Sequence, residues 1–245
     1  MFVRDTKALY RQSFLGYLWI LLPPLATAAI WIFLSDQRLV TTDTGGVPVS
    51  VFVLTGTILW TAFNLSVVGM QAILSDAKSV LSKINFPHEA LVISGIGKAV
   101  LNTIVPAFVL IPILPILGVS FTSTMLLFPI GLATLILLGC AIGLLLVPLA
   151  ALYSDIGRII QLALRFGFFV TPVIYALPAS GTARTLLLLN PVSAPLITAR
   201  AWLLGSNDSM GLILFAVLIA SVFVLTVATI IFKITMPHII ERLNA

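Results

Sequence analysis

From Thr44 to Ser75 the chain carries no Asp, Glu, Lys or Arg, and it is one of several apolar runs longer than a soluble core helix needs. A stretch of 18 or more such residues matches the hydrocarbon thickness of a bilayer. Charged residues make up 9% of the 245 and hydrophobic residues 60%, whereas a soluble domain carries about 25% charge to hydrate its surface. In lipid, backbone N–H and C=O groups must be satisfied within the protein, so apolar spans of this length are α-helices. Strictly alternating strands are absent, which argues against an outer-membrane barrel. The expected fold is an all-α membrane protein, one transmembrane domain over residues 1–245.

Charge-free length places six spans, at 17–34, 49–74, 99–117, 125–152, 159–177 and 210–232. At about 1.5 Å per residue, 18 residues reach roughly 27 Å, enough for the hydrocarbon core. The first span contains Pro23 and Pro24, whose missing N–H groups predict a kink. The basic start and the Ala26-Thr27-Ala28 triplet have the outline of a signal peptide with its cleavage site, but the apolar run continues to Leu34. It is therefore expected to stay as a full crossing. Lys and Arg set the orientation. Arg4, Lys7, Arg11, Lys78, Lys83, Lys98, Arg158, Arg165, Lys233 and Arg242 fall on one side and Arg38, Arg184 and Arg200 on the other, which accounts for all 13. That bias puts both termini in the cytoplasm.

Two of the breaks have structure of their own. Ala77, Val80, Leu81 and Ile84 recur at helical spacing while Asp76, Lys78, Ser79, Ser82 and Lys83 fill the other side, and Pro87 ends the pattern. A short amphipathic cytoplasmic helix within 75–98 follows. The break at 178–209 is too apolar for a solvated loop and too interrupted for two crossings. It is expected to form short re-entrant or interfacial helices on the outer side, where protein or a cavity covers the broken backbone.

Several side chains invite a chemical reading. Arg4, Lys7 and Arg11 share one face of an N-terminal segment over 1–16. Either they anchor an interfacial helix beside anionic headgroups and guide a phosphate-bearing lipid, or they only set topology. Gln161, Arg165 and Phe168 stand at near-helical spacing in the fifth span. Arg165 either lines a conduit or snorkels to the inner interface. Phe52, Gly56, Trp60 and Phe63 form a stripe in the second span, suited to sliding sugar rings or simply to helix packing. Gly139 and Gly143 make a GxxxG for close helix approach. Arg200, beside Trp202, either contacts a substrate or faces outer headgroups.

Enzymatic chemistry finds little to work with. Gly95-Ile96-Gly97-Lys98 is a failed phosphate loop, because Val92 and Ala99 occupy positions where Gly and Ser or Thr are required. Cys140 is the single cysteine, His88 and His238 lie far apart, and no HExxH or GxSxG occurs. Asp155 and Arg158 fit an i, i+3 ion pair better than a catalytic role. The net charge of +5 sits at span ends without an aromatic-basic platform, so membrane orientation explains it better than nucleic acid does. Two rivals to a driven transport subunit are a secondary transporter, which would show two corresponding halves, and an intramembrane enzyme acting on a lipid-linked sugar.

These pieces together resemble a known family. Arg4-Asp5, Tyr10-Arg11-Gln12-Ser13 and Leu15-Gly16-Tyr17-Leu18-Trp19 with Pro24 are similar to the start of ABC-2 type permeases that export O-antigen, capsule or teichoic acid. Asn85-Phe86-Pro87-His88-Glu89, Tyr153-Ser154-Asp155-Ile156, Thr171-Pro172-Val173-Ile174-Tyr175 and Leu189-Asn190-Pro191 leading to Arg200 follow in the same order. The resemblance implies a homodimer with two copies of a separate ATPase that binds ATP and Mg, in the bacterial inner membrane. The cargo it implies is an undecaprenyl-pyrophosphate-linked glycan. It makes Lys78, Val80, Leu81, Lys83, Ile84, Phe86, His88 and Glu89 the coupling segment that meets the ATPase, 178–209 the external gate, and 1–16 the interface helix. His88 departs from the Arg or Lys common there, which would make that contact pH-sensitive.

Overall fold

The computed structural model describes residues 18–37, 46–74, 88–206 and 210–244, and all regular structure among them is helical. In chain order the elements are α1 (Leu18–Asp36), α2 (Val49–Gln71), α3 (His88–Ile116), α4 (Phe128–Leu152), α5 (Ser154–Val170), α6 (Thr182–Leu189), α7 (Ser193–Leu204) and α8 (Gly211–Asn244), with a 3-10 turn at Ser123–Leu127. α2 sits at the centre, packed against α1, α3, α4, α5 and α7, while α8 lies along α4 and touches α3 and α7. α2 is enclosed almost throughout, and α8 leaves Leu212, Ile219, Phe223 and Ile234 exposed, the pattern of a helix facing lipid.

Among the described residues four helical segments are long and apolar enough to cross a membrane, Val49–Gln71, Glu89–Pro115, Ser123–Leu152 and Gly211–Pro237, and the bent pair α6 and α7 makes a fifth if it counts as one span. Four of these five lie at the expected second, third, fourth and sixth spans. α1, 19 residues long, includes Pro23 and Pro24 and lies over most of the first expected span. The fifth expected span, 159–177, is helical over the 17 residues Ser154–Val170 and then unwinds. Pro172 explains the stop, since a residue before proline is driven out of the α region, and Thr171 is extended at φ −99° and ψ 141°.

Hydroxyls on the buried α2 turn back onto their own helix. Thr55 donates to Val51 O, Thr57 to Leu54 O and Ser66 to Ala62 O, which satisfies them without water. α6 and α7 meet at a 96° bend. Asn190 makes that corner by accepting from the Val192 N–H at 3.0 Å, as an Asx turn does. Gly205, at φ +69°, ends α7 in the left-handed conformation. The described part of the 178–209 break thus holds a bent pair of short helices whose second arm is buried over Ser193–Leu203.

Candidate functional site

The aromatic residues of the second and fifth expected spans meet. The Trp60 ring lies 5.3 Å from Phe63 and 6.2 Å, edge-on, from Phe168, which stands 5.2 Å from Phe169. Gly167 permits this, because a Cβ there would sit 3.0 Å from Cη2 of Trp60. Trp60 and Phe63 are buried, so they form the wall against which α5 packs, and Phe169 carries the row of rings out to an exposed edge.

Three stripes divide α5. Ile160 and Leu164 are buried; Ile159, Leu162, Phe166 and Phe169 form an exposed apolar stripe. Arg158, Gln161 and Arg165 lie exposed at i, i+3 and i+7 beside it. Asp155 and Arg158 pair at 3.5 Å with both side chains open to the surroundings, a contact of little energetic weight. Gln161 and Arg165 therefore share one polar face, and Phe168 sits at its packed margin.

Arg200 occupies a different setting from an outer headgroup contact. It is 4% exposed, and its Nη1 donates to Pro172 O at 3.1 Å and to Val173 O at 3.0 Å. Its guanidinium carbon lies 3.7 Å from the centre of the Phe52 ring. Gly56 brings the unwound stretch this close to α2, since a Cβ there would lie 2.1 Å from Val173 O. Asn190 Nδ2 also donates to Thr171 Oγ1 at 2.7 Å. Phe52 and Arg200 thus come together, but at the end of the bundle that holds the bent pair rather than on the polar face of α5. One signal was in the chain: a proline-broken apolar segment strands carbonyls, and Arg184 and Arg200 are the cations of the stretch that follows, the first donating to Pro178 O at 2.9 Å.

The same end holds Thr124 donating to Trp202 O at 2.9 Å and the Met210 N–H donating to Thr198 Oγ1 at 3.0 Å. At the opposite end Lys233 of α8 pairs with Glu89 at the start of α3. His88 opens α3. Lys78, Val80, Leu81, Lys83, Ile84 and Phe86, like Arg4, Lys7 and Arg11, lie outside the described residues. The Gly95–Lys98 phosphate-loop lookalike is mid-helix, where a Cβ on Gly95 would meet Met70 Sδ at 2.7 Å. That glycine serves packing of α3 on α2.

No family model matches the chain. The "O-antigen export system permease protein RfbA" of Myxococcus xanthus is 30% identical over 196 residues, 77% of this chain and 73% of that protein. Two Klebsiella pneumoniae proteins of the same name are 23% and 24% identical over 175 and 174 residues, each alignment covering 71% of this chain and 66% of theirs. An apolar helical body with several membrane-length helices agrees with that likeness. Similarity at 30% over most of both sequences shows that this chain belongs to the ABC-2 type O-antigen export permeases, the multi-pass transport subunits of ABC exporters.

Proposed function

We propose that the chain is the permease of an ATP-driven exporter that carries an undecaprenyl-pyrophosphate-linked glycan, O-antigen in particular, across the bacterial inner membrane. The observation that carries this reading is the exposed face of α5, where Arg158, Gln161 and Arg165 run beside Phe166 and Phe169. A cation and an amide facing lipid are expensive, so in the membrane such a face turns to protein or water. A second copy of the chain covers it, and the path for the glycan runs between the copies, with Phe169 near the edge that sugar rings would pass.

Two copies of a separate ATPase bind ATP and Mg; this chain supplies the surface they push on. The segment from Lys78 to Glu89 takes that role, and Arg4, Lys7 and Arg11 meet the phosphate-bearing lipid at the inner leaflet. Both termini lie in the cytoplasm, which the position of Arg158 and Lys233 at the end away from the bent pair supports. ATP binding by the partner then selects between two packings of the spans.

Reconstitution of the chain with its ATPase in vesicles loaded with undecaprenyl-pyrophosphate-linked glycan tests the reading. ATP-dependent movement is the expected result, and movement without ATPase or nucleotide overturns it. Val80→Asp together with Leu81→Asp should leave ATP hydrolysis running while export falls by about tenfold or more; intact coupling in that variant removes the 75–98 segment from the ATPase contact.

A further inference from the structure

The end of α5 raises a problem that Arg200 solves. Beyond Val170 the chain is no longer helical, so the carbonyls of Pro172 and Val173 need donors from elsewhere. Pro172 and Val173 are buried among apolar side chains, and a buried carbonyl without a donor is costly. One nitrogen of Arg200, from α7, reaches both oxygens, and Asn190 adds a second tie from the bend before α7 to Thr171. Against α2 the contact is of another kind. The guanidinium lies over the Phe52 ring, an attraction that tolerates sideways movement, whereas hydrogen bonds weaken steeply when misdirected. Gly56 leaves α2 smooth where Val173 O rests on it.

From this asymmetry we infer that Arg200 is a positioning residue which fastens the unwound stretch 171–175 to α7, so that the two move as one body that slides on the Phe52–Gly56 face of α2. The export reading gives this body its purpose, as the gate at the bent-pair end of the path. The fastening itself is a property of the chain alone.

The test uses the full-length chain in lipid nanodiscs, where both faces meet a bulky water-soluble maleimide. Ala176→Cys reports on the half-buried stretch, and native Cys140, at 0% exposure, reports on the fold in the same molecule. Arg200→Met should speed labelling at position 176 by about tenfold or more while Cys140 stays protected. Arg200→Lys should fall between the two, since an ammonium reaches a carbonyl but offers no planar face to Phe52. Phe52→Leu, which leaves both hydrogen bonds in place, should change the rate by less than about threefold. An unchanged rate in Arg200→Met, or equal rates in Phe52→Leu and Arg200→Met, overturns the assignment.

If Arg200→Met also exposes Cys140, Arg200→Lys decides, since it keeps a cation at the site but loses the guanidinium that reaches both carbonyls. Faster labelling at position 176 with Cys140 still protected supports the joint, and an unchanged rate overturns it. No arm requires ATP, an ATPase or a glycan. Failed labelling therefore leaves the export reading untouched, and failed export leaves the fastening standing.

Discussion

Gly143 and Gly69 are both glycines inside helices, yet their surroundings assign them opposite roles. A Cβ on Gly143 would lie 2.6 Å from Val67 O, and one on Gly139 would lie 2.7 Å from Phe63 O, while Gly69 has nothing within 4 Å. Gln71 Nε2 donates to Gly143 O at 3.0 Å at the same contact, so the GxxxG holds α4 against α2 at backbone distance. Alanine relieves the same backbone entropy at either site, about 0.5–1 kcal/mol. Gly69→Ala should then be neutral or slightly stabilising, and Gly143→Ala should lose about 1–3 kcal/mol to overpacking. Thermal unfolding in detergent measures both, and equal shifts would remove the packing argument. The GxxxG was legible in the chain; its partner helix was not, because spacing says that a face is smooth without saying what rests on it.

Helices begin and end where the charge pattern did not place them. α3 starts at His88, well before the expected boundary at Ala99, and contains Pro106, Pro112 and Pro115. The expected boundary rested on the charge of Lys98, and a helix has no reason to stop at a charge. α8 likewise runs on to Asn244, past the charged Lys233. These two extensions meet through Glu89 and Lys233, half to two-thirds exposed at 48% and 64%. An exposed pair contributes about 0–1 kcal/mol and weakens with salt. A double-mutant cycle with Glu89→Gln and Lys233→Met should give a coupling in that range, halved or less at high salt. Glu89→Cys with Lys233→Cys should be bridged by a short bifunctional thiol reagent that spans roughly the reach of the two native side chains, and failure to bridge them would separate α3 from α8 at this end.

At the scale of the molecule, exposed apolar surface is distributed in two kinds. α8 exposes a broad apolar face that includes Leu212, Ile219 and Phe223, whereas α5 shows an apolar stripe bordered by Arg158, Gln161 and Arg165. Lipid suits the first and a protein partner the second. Leu162→Cys on α5 should therefore cross-link to a second copy in membranes, and Ile219→Cys on α8, 71% exposed, should not. Cross-linking at Ile219 but not Leu162 would move the interface between copies to α8.

Hydropathy and charge read along the chain point to the medium and the helical class, because transfer to lipid is a property of each residue and adds along a segment. They miss the early start of α3 and the short reach of α5, which depend on where backbone hydrogen bonding continues rather than on where lipid ends. Arg200 shows the limit most plainly. Its charge placed it outside the inner leaflet, but its partners, Phe52 and the carbonyls of Pro172 and Val173, lie far away in the chain. A buried cation is stabilised by the groups folding gathers around it, and that gathering belongs to the tertiary structure alone.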